Sequence, residues 1–107
     1  MKDLKTYNHV TLVGVVTVNP VEVIENKRRK TSFVLGVDRY TGKDTQKEVD
    51  YFNIVTFGKL AEICYQYLKA EKKVLVDGRL QVREDEEADY GRRWITEVIA
   101  ENLMKLK

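Results

Sequence analysis

The sequence predicts an all-β fold, a closed five-stranded barrel with one α-helix between strands three and four. Residues 49–68 carry the main observation, because their hydrophobic period changes in the middle. Residues 49–57 are rich in β-branched and aromatic side chains, as strands are. After Gly58, apolar residues recur at the i, i+3, i+4, i+7, i+8 spacing of a helix face. A strand that enters a short helix directly favours one closed sheet plugged by that helix.

The remaining elements follow from alternation and turn residues. Gly14 interrupts the first strand and indicates a bend or bulge, and Asn19-Pro20 ends that strand before a short continuation over residues 21–25. The predicted strands are residues 7–18, 31–38, 49–57, 74–83 and 92 to about 104, with the helix running from Lys59 to about Ala70. Three strands, a helix and two strands is the order of the oligonucleotide-binding (OB) barrel, and the whole chain is interpreted as one such domain.

Charge is abundant but nearly balanced, with 19 Lys and Arg against 17 Asp and Glu. The positions of the charged residues are therefore more informative about nucleic-acid binding than the net charge is. A basic run at residues 27–30 and an acidic run at residues 84–87 are interpreted as solvated loop tips. In the fourth strand, alternation predicts one inward and one outward face. The inward face holds Val74, Val76, Gly78, Leu80 and Val82, and the outward face holds Leu75, Asp77, Arg79, Gln81 and Arg83.

Composition excludes several classes of protein. A hydrophobic fraction of 43% excludes disorder, and no apolar run approaches the roughly 18 residues of a membrane span. The first residues contain no apolar segment typical of a secretion signal. The single cysteine, Cys64, lies on the apolar helix face and is predicted to be a buried hydrophobe. These features predict a cytoplasmic protein.

Catalytic chemistry has little support in the sequence. His9 is the only histidine, and one histidine with one cysteine cannot form a zinc site without several carboxylates. Asp38, Asp50 and Asp77 are dispersed along the chain, so a nuclease-like carboxylate cluster is not expected. We therefore expect no cofactor, no metal and no enzymatic activity.

Binding chemistry has more support, on the third predicted strand. Tyr51, Asn53, Val55 and Phe57 share one face, and the two rings are about 20 Å apart at ~3.3 Å per residue. Arg79 and Arg83 are predicted on the outer face of the neighbouring strand, which resembles a base-stacking platform in a cationic groove. Phosphate contacts are expected from rim residues Lys59, Lys43, Lys47 and Arg39. Aromatic residues on strands are more often core residues. Periodicity alone therefore does not decide whether Tyr51 and Phe57 are buried in the core or stack on bases at the surface.

Five short motifs resemble those of a known family. Phe57-Gly58-Lys59-Leu60-Ala61-Glu62 is followed by Tyr67-Leu68-Lys69, and the chain begins with Asn8-His9-Val10-Thr11-Leu12-Val13-Gly14. The later motifs are Val76-Asp77-Gly78-Arg79-Leu80 and Thr96-Glu97-Val98. In this order and spacing, they resemble the bacterial-type single-stranded DNA-binding proteins, which also occur in mitochondria and phages.

The resemblance implies an OB barrel that forms a homotetramer and binds single-stranded DNA during replication, recombination and repair. Tyr51 and Phe57 match stacking positions of the family, and Tyr40 lies near a further one. The basic positions that match DNA contacts are Lys59, Arg83 and Arg93. Phe52 falls where relatives have a subunit contact. Partners in replication and repair are also implied, and an organellar or phage origin stays open.

The sequence also departs from the family pattern. Glu84-Asp85 stands where relatives often have an aromatic residue, and Trp94 lies outside the familiar stacking positions. Relatives usually continue into a linker with an acidic tip, whereas this sequence ends at Lys107, so we expect a tail-less or trimmed member. These departures leave an alternative open, an accessory, primosome-type protein–protein module that binds DNA weakly.

Overall fold

The computed structural model describes residues 5–40, 48–85 and 93–107. In these residues the chain forms six strands and one helix, where the sequence predicted five strands. The additional strand is the short segment that was expected to continue the first. The elements are β1 Val10–Val16, β2 Val21–Glu25, β3 Arg28–Arg39, β4 Glu48–Phe57, α1 Gly58–Tyr67, β5 Lys73–Asp85 and β6 Arg93–Leu106.

The strands form a closed ring, which confirms the predicted OB barrel. Their order is β1-β5-β6-β4-β3-β2, and β1 also pairs with β3 at Val15↔Gly36 and Val16↔Leu35. Among the strands of the described residues, only β4 and β6 pair in parallel, at Ile54↔Val98 and Val55↔Ile99, and the other pairs are antiparallel. The additional β1–β3 pairing closes this sheet into a barrel.

Glycines occupy two special backbone positions of the barrel. A Cβ atom on Gly14 would lie 2.3 Å from the Gly36 carbonyl oxygen, so the predicted bend at Gly14 is a close approach of β1 to β3. The register shift of the sheet lies elsewhere, between Asp77 and Gly78. Gly58 has a φ of +64°, the left-handed region that favours glycine, where β4 turns directly into α1.

The inner face of the barrel forms the core with α1. Val16, Leu35, Ile54, Val74 and Val76 are completely buried. The predicted burial of Cys64 is confirmed, since its side chain lies in this cluster, and burial raises the pKa of its thiol. Leu68, directly after α1, is also buried. The helix therefore closes the barrel as its apolar spacing predicted.

Two buried threonines link α1 to β3 and β3 to β4. The Thr31 hydroxyl donates to the Ala61 carbonyl at 2.8 Å, and the Thr56 hydroxyl donates to the Thr31 carbonyl at 2.8 Å. Both threonines are fully buried, so these bonds satisfy polar groups that would otherwise be costly. The inner side of β3 and β4 is thereby held in place, and this positions their outer face.

The described residues of both charged runs lie mostly in strands, whereas the sequence predicted loop tips. Only Asn26 and Lys27 form the turn between β2 and β3, with φ values of 52° and 62°. These positive values are typical of the two-residue hairpin turn whose twist matches the flanking strands, so Arg28 to Lys30 belong to β3. Glu84 and Asp85 belong to β5, because the antiparallel pairing with β6 continues to Trp94 and Arg93.

Three predicted boundaries also move. The first strand is shorter at both ends, and the helix ends at Tyr67. In β5 every second residue faces the core only as far as Gly78, since the next two predicted inward residues, Leu80 and Val82, are 42% and 58% exposed. Beyond the β4–β6 pairing, residues 81–85 pair with β6 alone, and this two-stranded ribbon has no inner side to bury. In the described parts of the chain, no helix is long and apolar enough to cross a bilayer.

Candidate nucleic-acid interface

The outer side of β2, β3 and β4 forms a continuous surface, here called the groove face. Its positions follow from the antiparallel register, which pairs each outward residue of β4 with an outward residue of β3. The paired rows are Tyr51 with Gly36, Asn53 with Val34, Val55 with Ser32, and Phe57 with Lys30. Strand β2 extends the surface with Val21 and Val23, which are 59% and 47% exposed.

Tyr51 presents an exposed aromatic ring at one end of the groove face. Its side chain is 66% exposed. A Cβ atom on the opposite residue, Gly36, would lie 3.6 Å from Tyr51 Cε1 and 3.2 Å from Thr17 Cγ2. The Tyr51 ring therefore lies close beside β3, at a distance where a methyl group on Gly36 would be in ordinary contact with it. A flat ring with one free side suits a stacked base.

Phe57 is the second ring of the groove face, and a cation covers it. The ring is only partly exposed, and Arg28 Cζ lies over it, 4.4 Å from the centroid. Lys30 is the direct cross-strand partner, so Arg28 approaches from the diagonal position. This distance is within the range of cation–π attraction. The sequence reasoning missed Arg28 because it placed residues 26–30 in a loop.

Between the two rings lies a cavity of about 310 Å³. Arg83 Nε donates to Glu97 Oε1 at 3.1 Å in this cavity, where Glu97 is only 6% exposed. The buried Val55 forms part of the lining. The predicted cation Arg83 is therefore present in the groove, but its charge is already paired with a carboxylate.

Arg79 lies on the same side but farther away than predicted. Ile99 of β6 pairs with Val55 on one side and with Arg79 on the other. The strand that carries Arg79 and Arg83 is therefore separated from β4 by β6, which corrects the prediction of neighbouring strands. The parallel β4–β6 pairing was not visible in the sequence, because it joins strands that are distant in the chain.

The other predicted site residues within the described ranges are exposed. Tyr40 follows β3 and is 92% exposed, and Arg93 begins β6 opposite Asp85. Lys59 projects from α1 with 80% of its side chain exposed, 3.8 Å from Glu62. Lys43 and Lys47 lie outside the described residues, so their roles stay predictions.

Arg39, expected at the rim, is neutralised near the Tyr51 end. Its guanidinium donates to Glu48 and to both carboxylate oxygens of Asp50. The hydrogen bond from Arg39 lowers the pKa of Asp50, and the same bond raises the pKa of Arg39. This cation is therefore less available to a phosphate than the sequence indicated.

Other polar clusters lie away from the groove face. His9 Nε2 and the Thr11 hydroxyl are 2.8 Å and 2.7 Å from Asp77 Oδ1. Within residues 5–40, 48–85 and 93–107, no group of three or more His, Cys, Asp or Glu residues could hold a metal ion. A second cavity of about 310 Å³, between α1 and β6, has a mostly apolar lining that includes Leu60 and Leu103.

An OB barrel with aromatic rings and cations on its outer face is the arrangement of a candidate single-stranded nucleic-acid binder. The model of the single-strand binding protein family matches residues 7–106. The chain belongs to this family.

Relatives and solved structures agree with this assignment. The chain is 36% identical over 102 residues to a single-stranded DNA-binding protein of Clostridium tetani, covering 94% of this chain and 70% of that protein. It is 38% identical over 102 residues to single-stranded DNA-binding protein 2 of Clostridium acetobutylicum, covering 94% and 77%. The structure titled "Plasmodium falciparum SSB complex with ssDNA" has the same fold, with a TM-score of 0.84 at 23% identity, covering 99% of this chain and 100% of that one.

Proposed function

We propose that this protein binds single-stranded DNA without strong sequence preference and protects it during replication, recombination and repair. The observation that carries the proposal is the open Tyr51 ring over Gly36, on the same strand face as Phe57. Its bacterial relatives are named as single-stranded DNA-binding proteins, which supports the same conclusion. No catalytic step is part of this function.

The proposed mechanism combines stacking with phosphate contacts. Each base that stacks on an aromatic ring contributes about 1–3 kcal/mol, and because every base has a flat face, stacking does not read sequence. Arg28 lies over Phe57, and further exposed cations are Lys59, Arg79 and Arg93. Asn53, exposed in the groove between the rings, provides a hydrogen-bonding amide. Binding should therefore weaken as salt concentration rises.

Oligo-dT titration tests the proposal. Fluorescence anisotropy of a labelled strand should show binding at low salt, with affinity that falls as salt is added. Tyr51→Ala should weaken binding by about 1–3 kcal/mol. Tyr65→Ala is the matched control, because Tyr65 is a 52% exposed tyrosine on α1, outside the groove face. Absence of binding at low salt would refute the proposal, and equal losses in both variants would refute the assigned surface.

We also propose a homotetramer, since an apolar surface remains exposed on the outer side of β1 and β6. Val13 and Val15 of β1 and Met104 of β6 are 42%, 41% and 59% exposed. In addition, β1 pairs with β3 only at Val15 and Val16, which leaves the rest of that edge available. Light scattering should give a mass near four times 12.5 kDa, and a monomer would contradict this proposal.

Replication and repair proteins are the proposed partners, and the cytoplasmic nucleoid is the proposed location. The accessory-module alternative predicts a different pair of results. It requires weak oligo-dT binding together with retention of replication proteins in a pull-down. Strong oligo-dT binding would favour the DNA-coating function.

A further inference from the structure

The basic run of the β2–β3 hairpin is divided between the two faces of the sheet. Arg29 points away from the groove face, with Nε 3.4 Å from Glu22 Oε2 and a second nitrogen 3.8 Å from Glu62 Oε2. On the groove face, Lys30 Nζ lies 3.4 Å from Glu25 Oε2. Arg29 and Lys30 are therefore both paired with carboxylates.

Arg28 differs from both neighbours. Across residues 5–40, 48–85 and 93–107, no carboxylate lies within ion-pair distance of its guanidinium. The guanidinium lies instead over the Phe57 ring, 4.4 Å from the centroid, on an exposed side chain. A base that approaches Phe57 from the groove face would meet Arg28 first. The second stacking position of the family pattern is thus covered by a cation that belongs to this chain.

A guanidinium in this position can itself carry a base. It is planar, weakly hydrated and stacks on aromatic faces, and nucleobases stack on arginine planes as they do on aromatic rings. Its N–H groups point along the edges of the plane, where they can donate to a phosphate oxygen. Since no carboxylate occupies those donors, they remain available when a strand binds.

We propose that Arg28 is the base-contacting residue at this end of the groove face. Phe57, the Arg28 guanidinium and one nucleobase form three stacked layers, and the guanidinium edge donates to the adjoining phosphate. The inference rests on the proposed binding of single-stranded DNA. It assigns Phe57 a supporting role, since the ring holds the guanidinium in place and the base contacts the guanidinium.

The test compares Arg28→Lys with Arg29→Lys in the 107-residue chain. Lysine keeps the charge but has no plane, so Arg28→Lys should weaken oligo-dT binding about tenfold. The slope of log affinity against log salt should stay unchanged, because the number of cations is the same. Arg29→Lys, on the opposite face, should bind as the wild type does. Circular dichroism should give the same spectrum for all three proteins.

Arg28→Ala separates the remaining possibilities. The three-layer stack predicts weaker binding and a salt slope reduced by about 0.7, the value for one lost phosphate contact on a single strand. Tighter binding would mean that Arg28 only covers Phe57, and would overturn the inference. Wild-type affinity in Arg28→Lys would reduce Arg28 to a point charge, and would also overturn it. Failure of the wild-type chain to bind oligo-dT would instead overturn the proposed function, and this inference with it.

Discussion

The two ends of β4 place an aromatic ring on the same face of the sheet, but in different surroundings. Tyr51 lies over a glycine and is 66% exposed, whereas Phe57 lies beneath the Arg28 guanidinium. The cations differ as well. Arg39, at the Tyr51 end of the sheet but on its other face, is bound by Glu48 and Asp50, while Arg28 has no ion pair among the described residues.

This difference shows what strand periodicity determines and what it leaves open. Period 2 places both rings outward, and the cross-strand register then decides what each ring faces. Gly36 leaves Tyr51 open, while the β2–β3 hairpin brings a cation to Phe57. We therefore expect the Tyr51 end to bind mainly by stacking, and the Phe57 end by stacking combined with charge.

The largest effect is expected when both rings are removed. Tyr51→Ala with Phe57→Ala should weaken oligo-dT binding by about 2–6 kcal/mol, the sum of two stacking losses. The losses should add, because the rings are too far apart to share a partner. Titration of both single variants and the double variant measures this. A double variant no weaker than Tyr51→Ala would mean that the Phe57 end does not contact DNA.

A substitution on the inner side of β3 should reduce the stability of the fold and leave oligo-dT binding unchanged. Thr31→Val removes the hydroxyl that donates to the Ala61 carbonyl in the core. The free energy of unfolding should fall by about 1–3 kcal/mol, as measured by urea denaturation. Oligo-dT affinity below the unfolding transition should be unchanged. A large loss of affinity would show that the two faces of β3 are not independent.

A methyl group at Gly36 should disturb the Tyr51 end alone. The new Cβ would lie 3.2 Å from Thr17 Cγ2 and 3.3 Å from Val49 Cγ1, which is tight enough to move these neighbours. We expect Gly36→Ala to cost about 1 kcal/mol of stability. It should weaken oligo-dT binding slightly, because Thr17 and Val49 would shift beside the Tyr51 ring, while the ring itself would make an ordinary contact with the new methyl group. In a Tyr51→Ala background the same change should cost no further affinity. An equal loss in both backgrounds would contradict the role assigned to Gly36.

The smallest effect concerns the neutralised cation near Tyr51. Asp50→Asn removes one partner of Arg39, so binding at low salt should strengthen slightly and the salt slope should increase. Because Arg39 lowers the pKa of Asp50, their pairing stabilises the fold above the ordinary Asp pKa of about 3.9. That stability is lost as pH falls through the lowered folded-state pKa.

Denaturation between about pH 2 and pH 5 measures this contribution. The wild type should lose stability more steeply than Asp50→Asn as the pH falls. Identical pH profiles would show that the Arg39–Asp50 pair contributes nothing measurable, as many exposed ion pairs do.

Much of the fold was predictable because local patterns carried it. The change of period at Gly58 located the β4–α1 junction, and the helix spacing predicted the burial of Cys64. The closure of β1 onto β3 and the parallel β4–β6 contact were not predictable. Each depends on register between distant segments, which alternation within one strand does not encode.

The candidate site was only partly predictable for the same reason. Period 2 placed Tyr51, Asn53 and Phe57 on one face, and the family motifs marked the two rings as stacking positions. The pairing of Arg83 with Glu97 was missed, because it joins two strands through a buried carboxylate. Arg28 was missed because a basic run looks like a loop. An Asn-Lys pair between two strand-like segments was the available signal for a two-residue turn.

Photo-cross-linking with an oligo-dT strand that contains 5-iodouracil tests the central claim most directly. Aromatic residues in contact with the substituted bases are trapped, and mass spectrometry of the peptides locates them. We expect cross-links at Tyr51, whose exposed ring contacts a base directly, and few or none at Phe57, because the base at that end contacts the Arg28 guanidinium. Cross-links confined to Tyr65 and Tyr67 of α1, or to Trp94, would contradict the groove face as the DNA-binding surface.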